Sequence, residues 1–335
     1  MTSSTITIIG SLNYDLVTYT KAVPEGGETY QANSFENHLG GKGLNEAIAT
    51  SRLSGKQSNC QIRMVGNVGN DSFGKELKQA LVDSGVDTEY VKTLEHQSSG
   101  VAVIIVEEDS GENRILITAG ANGELCPTNE EYETYFPKDV EGTQFVILQN
   151  EYPDTVKSID WLKANRPKIN IAYNPSPFKP EFINQDFWSK IDFLIMNEGE
   201  ALSVASKLLT QDQNAEFNKT IKQDKVKGFS DLANKLQELV NPENVSTVII
   251  TMGSKGSMFT SRNTKPTFVK SEKVANVVDT TGAGDTFFGG VVLQLANGSS
   301  LEKAVEFATK ASSLVIQKKG AAESIPTLEE ITKYI

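Results

Sequence analysis

The run Asp279-Thr280-Thr281-Gly282-Ala283-Gly284-Asp285 has the residue types of a turn that handles phosphate. Small residues let the backbone fold tightly, and a helix beginning about Gly284 leaves its first N–H groups without intrahelical partners. Several such donors aimed at one point suit the charge that develops on a phosphoryl group in transfer. A carboxylate at that helix start, Asp285, is placed to accept the proton of an attacking hydroxyl. The plainer reading of the same residues is a capped helix on a glycine turn, and the local pattern alone does not choose between them.

Other candidate groups lie along the chain. Asn13 and Asp15 follow the turn-prone Gly10-Ser11 and are themselves turn residues. Asn197 and Glu200 have capping-box spacing. No G-x-x-x-x-G-K-[ST] run occurs, which excludes a P-loop, and no G-x-G-x-x-G follows a strand, which weakens a dinucleotide-binding reading. His38 and His96 form no metal or triad constellation and read as structural or surface residues.

Five segments, in order and covering nearly the whole chain, resemble the signatures of the ribokinase (PfkB-type) family of carbohydrate kinases. They are Gly10-Ser11-Leu12-Asn13-Tyr14-Asp15, Gly40-Gly41-Lys42-Gly43-Leu44-Asn45-Glu46-Ala47, Asn197-Glu198-Gly199-Glu200, Thr251-Met252-Gly253-Ser254-Lys255-Gly256 and the Asp279–Asp285 run extended by Thr286-Phe287. Any one is moderately specific; the set is highly so.

The resemblance implies ATP-dependent phosphorylation of a sugar, D-ribose in the first instance, with Asp285 as base and Gly282, Ala283 and Gly284 forming the anion hole. Asn13 and Asp15 would bind sugar hydroxyls, with Gly41, Lys42, Gly43 and Asn45 closing from the other side and Glu151 of Gln149-Asn150-Glu151 adding a carboxylate. Asn197, Thr251, Met252, Gly253, Ser254, Lys255, Gly256 and Gly284 would line ATP, with Thr309 near adenine. Mg²⁺ would sit near Asn197 and Glu200, since that ion keeps several waters and needs few protein ligands. A K⁺ site maps to Asp279, Thr281, Val315, Lys318, Gly320 and Ser324, mostly through backbone carbonyls.

The same resemblance implies a homodimer joined through lids. Tyr14 departs from the small residue usual at its position, and would either crowd the sugar or face away from it. The nearest rival substrate is a phosphorylated hexose, because 1-phosphofructokinases also carry G-G-K-G, with fructokinase and adenosine kinase as further alternatives. A non-catalytic sugar- or nucleotide-sensing homologue is opposed by the intact Gly282-Ala283-Gly284-Asp285, and an NAD-dependent dehydrogenase by the missing fingerprint.

The elements that must position these groups show in the hydrophobic pattern. Short apolar runs at Thr5–Gly10, Ile62–Val65, Phe145–Leu148, Ile169–Ala172, Phe193–Met196 and Val248–Ile250 predict buried strands, with a further strand ending near Val278. Helical spacing falls at Leu44–Leu53, Phe73–Val82, Val156–Lys163, Glu198–Leu209, Leu232–Val240, Asp285–Leu295, Leu301–Gln317 and Leu328–Tyr334. Alternation of the two predicts a three-layer α/β/α sandwich with a mainly parallel central sheet. Val101–Val106 and Arg114–Thr118 flank Asp109-Ser110-Gly111 as a hairpin. One domain, 1–335, is expected, with a small β-sheet lid from segments about 13–44 and 100–118. Gly26 to Gly41 reads as a polar stretch, and 210–227 as an exposed insertion with partial helix.

Composition bounds the rest. A chain of 335 residues, 38% hydrophobic and 22% charged, can bury a sizeable core. A net charge of −11 opposes nucleic-acid binding, which uses clustered Lys and Arg. No apolar run reaches the ~20 residues of a membrane span. Cys60 and Cys126 without CxxC, and a start with no signal-peptide character, place the chain in the cytoplasm. The sequons at Asn218, Asn244 and Asn297 then read as chance matches.

Overall fold

The computed structural model describes residues 4–333 except 56, 57, 111, 183, 245 and 263. In chain order the strands are β1 (Ser4–Ile9), β2 (Asn13–Thr20), β3 (Ser34–Gly40), β4 (Cys60–Gly69), β5 (Asp87–Leu94), β6 (Gly100–Glu107), β7 (Asn113–Thr118), β8 (Thr143–Leu148), β9 (Asn170–Tyr173), β10 (Phe193–Asn197), β11 (Thr247–Thr251), β12 (Gly256–Ser261) and β13 (Thr264–Lys270). The helices are α1 (Lys42–Ser54), α2 (Ser72–Asp83), α3 (Asn129–Tyr135), α4 (Thr155–Asn165), α5 (Gln185–Trp188), α6 (Glu198–Leu208), α7 (Gln211–Gln223), α8 (Lys225–Gln237), α9 (Ala283–Ala296), α10 (Leu301–Val315) and α11 (Leu328–Thr332).

Among the described residues, nine strands form one sheet in the order β13-β12-β11-β10-β9-β8-β1-β4-β5. β11 through β5 run parallel; β12 and β13 add antiparallel at one edge. Both faces are covered, so side chains alternate between two cores. In β8, Phe145 and Ile147 join the core under α1, α9 and α10, while Val146 and Leu148 join the one under α4, α6 and α8. Each fully buried Ile or Leu contributes roughly 1.5–3 kcal/mol, against about 1 for a net hydrogen bond. The two apolar layers therefore hold the fold, and the expected sandwich is what the chain forms.

From β1 the chain builds outward through β4 and β5; from β8 it builds the other way through β9, β10 and β11. The C-terminal ends of β1 and β8 are the switch point of this sheet, where open α/β folds leave a crevice. Ile9 pairs with Leu148 there, so Gly10-Ser11 and Gln149–Glu151 emerge side by side.

A second, four-stranded sheet has the order β3-β2-β6-β7. Its register sets Asn13 between Gly40 and Gly100, and Asp15 between His38 and Ala102. Asn13 and Asp15 are thus strand residues on one face, not turn formers, and Tyr14 points to the other face. There Tyr14 stacks on Phe73, with ring centroids 4.2 Å apart, and donates to Glu76 Oε2 at 2.7 Å. It does not crowd the face carrying Asn13 and Asp15.

Several boundaries differ from the sequence reading. The polar stretch before Gly41 contains β3, whose sequence SFENHLG lacks apolar alternation because it is a partly exposed edge strand. Residues 42–44 begin α1 and are not part of the small sheet. β5, β12 and β13 were not legible either; β13 is an edge strand carrying Pro266. Val278 is not in a strand: residues 271–280 have no regular structure, and Val277 and Val278 are 56% and 46% exposed. The 210–227 insertion is helical throughout α7, started by a Thr210–Gln213 capping box and anchored by Phe217 and Ile221. The helix expected at Leu232–Val240 begins at Lys225 and ends at Gln237. Gly111 of the hairpin turn and Tyr334 of the last helix lie outside the described residues; β6 and β7 pair antiparallel.

Candidate active site

The switch point gathers the candidates Gly41, Lys42 and Glu151. Gly41, at φ +88°, precedes α1, and a Cβ there would lie 2.8 Å from the Asn13 backbone nitrogen, so only glycine fits. Having no side chain, Gly41 cannot cap the helix. Glu151 does so from the end of β8: its Oε2 accepts the Lys42 N–H at 2.9 Å and also the Ser11 hydroxyl.

The turn at Gly282, φ +77°, opens α9. The first intrahelical bond runs from Thr286 N–H to Gly282 O at 2.9 Å, so the Ala283, Gly284 and Asp285 N–H groups have no partner within the helix. Ala283 N–H makes a long turn contact with Thr280 O at 3.3 Å, and nothing lies within 4 Å of the Cβ position of Gly284. Asp285 is held by α1: Asn45 Nδ2 donates to its Oδ2 at 2.8 Å, and Lys42 Nζ stands 3.6 Å from its Oδ1. α1 and α9 approach closely because Gly289 faces the Glu46 carbonyl and Thr50. Their N-termini converge, and two helix dipoles add positive potential at one place.

The polar groups here shift one another. Burial first, then Glu151, Glu323 and Asp285, raise the Asp15 carboxyl to about 7. Burial pulls the Lys42 ammonium down, yet the carboxylates around it, Asp285 and Glu151 foremost, leave it above its ordinary value, so it stays charged. Gly40 leaves room for the Asp15 carboxylate and Gly100 for the Asn13 amide; a Cβ at either glycine would overlap that side chain.

Sequence reasoning missed the residues that hold these groups in place. Asn122, 2% exposed, receives Leu12 N–H at 2.9 Å and donates to Leu12 O at 3.0 Å and Asn13 Oδ1 at 2.9 Å. Within Gly120–Glu124 it reads as an ordinary turn residue, and no local signal marks it. Glu323 Oε1 accepts Leu39 N–H at 3.0 Å, and Lys319 pairs with Glu36 at 2.8 Å, tying β3 to the loop after α10.

The nucleotide candidates gather along the same edge, because Asn197 and Thr251 are register partners at the ends of β10 and β11. Asn197 and Glu200 form the capping box of α6: Oδ1 accepts Glu200 N–H at 2.8 Å, and Glu200 Oε2 accepts Asn197 N–H at 2.9 Å. Asn174, not singled out from sequence, adds a 3.0 Å bond to Glu200 Oε2. Gly253, Ser254 and Lys255 form an exposed turn, whereas Met252 is 3% exposed and packs in the core. That loop presents Met252 through its backbone only. Thr309, on α10, spends its hydroxyl on Val305 O at 2.8 Å.

Asp279 sits in an irregular segment rather than the expected strand. Its Oδ1 accepts the Thr281 N–H at 2.9 Å and hydroxyl at 2.7 Å, and its Oδ2 accepts Gly320 N–H at 3.0 Å. Ile316 O, not the Val315 carbonyl, receives Val278 N–H at 2.8 Å; Val315 O is used by Lys318 N–H at 3.0 Å. Lys318 Nζ points to Glu330, and Ser324 donates to Ala321 O at 2.7 Å. Gly282 packs against Ala321, 3.2 Å from its Cβ position, so this loop backs the α9 turn. Among the described residues no three His, Cys, Asp or Glu side chains cluster as a metal cage. The donor set fits a divalent ion that arrives with a nucleotide and keeps its waters.

Residues 3–328 match the family model described as pfkB family carbohydrate kinase. A ribokinase of Schizosaccharomyces pombe is 38% identical over 332 residues, covering 97% of this chain and 96% of that one. The crystal structure of a ribokinase from Cryptococcus neoformans in complex with ADP superposes with a TM-score of 0.80 at 28% identity, over 99% of this chain and 100% of that one. An Arabidopsis thaliana ribokinase complexed with ribose and ATP also gives 0.80 at 28% identity, covering 99% and 98%.

Proposed function

The chain belongs to the pfkB family of carbohydrate kinases, and we propose that it transfers the γ-phosphoryl group of ATP to the 5-hydroxyl of D-ribose, giving ribose 5-phosphate and ADP. It is an ATP-dependent sugar kinase. One observation carries the site assignment: Asn45 and Lys42 converge on Asp285 at the start of α9, beside the carboxylates of Asp15 and Glu151.

ATP lies along the ends of β10 and β11, bounded by Asn197, Glu200 and the 251–256 turn. Ribose lies at the switch point, its hydroxyls on Asn13, Asp15 and Glu151. Asp285 takes the proton of the 5-hydroxyl as that oxygen bonds to the γ-phosphorus and the bond to the ADP oxygen breaks. The first N–H groups of α9, with charged Lys42 nearby, stabilise the phosphoryl charge. The four-stranded sheet acts as a lid on a single 1–335 domain and excludes water, which would otherwise compete as acceptor. Mg²⁺, held near Asn197 and Glu200, would neutralise phosphate charge. K⁺ between Asp279 and the 316–324 loop would add positive potential behind the anion hole.

A coupled ADP-release assay across ribose, 2-deoxyribose, fructose, fructose 1-phosphate and adenosine should give the highest kcat/KM with ribose. A preference for another acceptor overturns the substrate, and no phosphorylation of any overturns the kinase reading. In the same assay, K⁺ added to a tetramethylammonium or Na⁺ buffer should raise turnover, and Asp279→Ala should abolish that response. A rate indifferent to K⁺ removes the cation site alone.

We also propose a homodimer. On the sheet face opposite Asp15, Phe35, Val103 and Leu116 are 60%, 38% and 69% exposed, an apolar surface that a second copy would cover. The unmutated chain should sediment as a dimer and Leu116→Arg as a monomer; a monomeric unmutated chain refutes the interface. The two free cysteines, Cys60 and Cys126, suit the reducing cytoplasm, and among the described residues no helix is long and apolar enough to cross a membrane.

A further inference from the structure

Beside the Asn45–Asp285 contact lies a buried carboxyl that the proposed mechanism does not use. Glu46 and Gln149 are 1% and 0% exposed, and the Gln149 amide nitrogen donates to Glu46 Oε2. The other oxygen of each, Glu46 Oε1 and Gln149 Oε1, is buried without a partner. Gly10 makes the arrangement possible, since a Cβ there would overlap the Gln149 amide. Both are bare acceptors on side chains already joined by one hydrogen bond, and leaving both unpaired in the interior is costly. One proton resolves both at once.

We propose that Glu46 is held as a neutral carboxylic acid, its Oε1 proton donated to Gln149 Oε1, so that the two side chains close a cyclic pair of hydrogen bonds next to the base. The charged groups facing it are two carboxylates and one ammonium. Burial raises its proton affinity most, and Asp285 on α9 and Glu151 after β8 raise it further. Lys42, on its own helix, and the Gln149 hydrogen bond oppose them without prevailing. Glu46 is thereby a positioning residue: it fixes α1, which carries Asn45 and Lys42, against the end of β8, which carries Glu151. A neutral acid also adds no negative charge where the phosphoryl group is transferred. This catalytic role rests on Asp285 being the base; the protonation state does not.

The test uses the full chain without ligands. At neutral pH the infrared difference between the unmutated protein and Glu46→Gln should contain the C=O band of a protonated carboxyl, shifted in D₂O. The native state would bind one proton more than the unfolded state, in which Glu46 titrates near its ordinary 4.5. The unfolding constant of the unmutated protein, divided by that of Glu46→Gln, should therefore rise about tenfold per pH unit above roughly pH 5.5. A second arm needs no change at Glu46: Asp15→Asn removes the other elevated carboxyl, and the acid band should persist at pH 8. An absent band with a pH-independent ratio means an ionised Glu46, bridged to Gln149 by water, and overturns the proposal. Loss of the band in Asp15→Asn overturns it equally. Neither readout depends on sugar phosphorylation, so failure here leaves the kinase reading standing.

Discussion

Asp285→Asn should lower turnover by ~10²–10⁴, the usual worth of a positioned acid–base group, while the protein folds and binds ribose nearly as before. The geometry separates these effects. An asparagine oxygen still accepts the Asn45 Nδ2 bond, now 2.8 Å long. The Lys42 contact that is lost spans 3.6 Å, longer than a hydrogen bond, so an ion pair weakens while the direct hydrogen bond at Asp285 stays. The apolar layers beneath are untouched: Phe287, Phe288 and Val291 on α9 stay in the core. What disappears is proton acceptance at the start of α9. Turnover in the coupled assay, ribose affinity by calorimetry and the melting temperature together check this. Near wild-type turnover would take Asp285 out of the mechanism, whereas a large fall in melting temperature would mean that it had been a structural cap.

Asp15→Ala should weaken ribose binding by roughly 1–3 kcal/mol, about 5- to 150-fold, because a sequestered sugar hydroxyl loses its acceptor. ATP affinity measured without sugar should hardly change, since the nucleotide candidates stand on β10, β11 and their loops. Equal weakening of both ligands would make Asp15 structural. The raised Asp15 pKa adds a pH signature. Its carboxyl, at about 7 against an ordinary 3.8, is partly protonated in the free protein near neutral pH. Sugar hydroxyls donate to the ionised form, so ribose pulls the pKa down. Binding below pH 7 should therefore release a proton, and affinity should rise from about pH 5.5 to 8 and then level. Calorimetry in two buffers of different ionisation enthalpy measures the release, which Asp15→Asn should abolish. For stability the sign is set by the same shift. A raised carboxyl favours the folded state below 3.8, and that advantage is lost as pH rises to about 7. Asp15→Asn should thus gain stability over the unmutated chain at pH 8 but not at pH 4. A pH-independent ribose affinity would contradict the shift.

The sequence by itself determined the layered fold. Runs such as Phe145–Leu148 and Phe193–Met196 are apolar because a parallel strand covered on both faces must be, and amphipathic spacing at 44–53 and 301–317 marks what covers them. The family resemblance carried by its five segments named the candidate groups, and two of those segments hold the glycines that stand at φ +88° and +77° before a helix. Edge elements escaped it. β3 and β13 bury little, so polar residues occupy them, and the exposed Val277-Val278 imitated a buried strand. Only the tertiary structure could decide which groups act on one another. Asn45 meets Asp285 across 240 positions, Glu151 caps α1 across 109, and Asn122 fixes Asn13 across 109. Such contacts follow from strand order and from helix approach at Gly289, which no local pattern encodes. The protonation of Asp15 and Glu46 is likewise set by burial among charges gathered from distant segments, and that electrostatic environment exists only once the chain has folded.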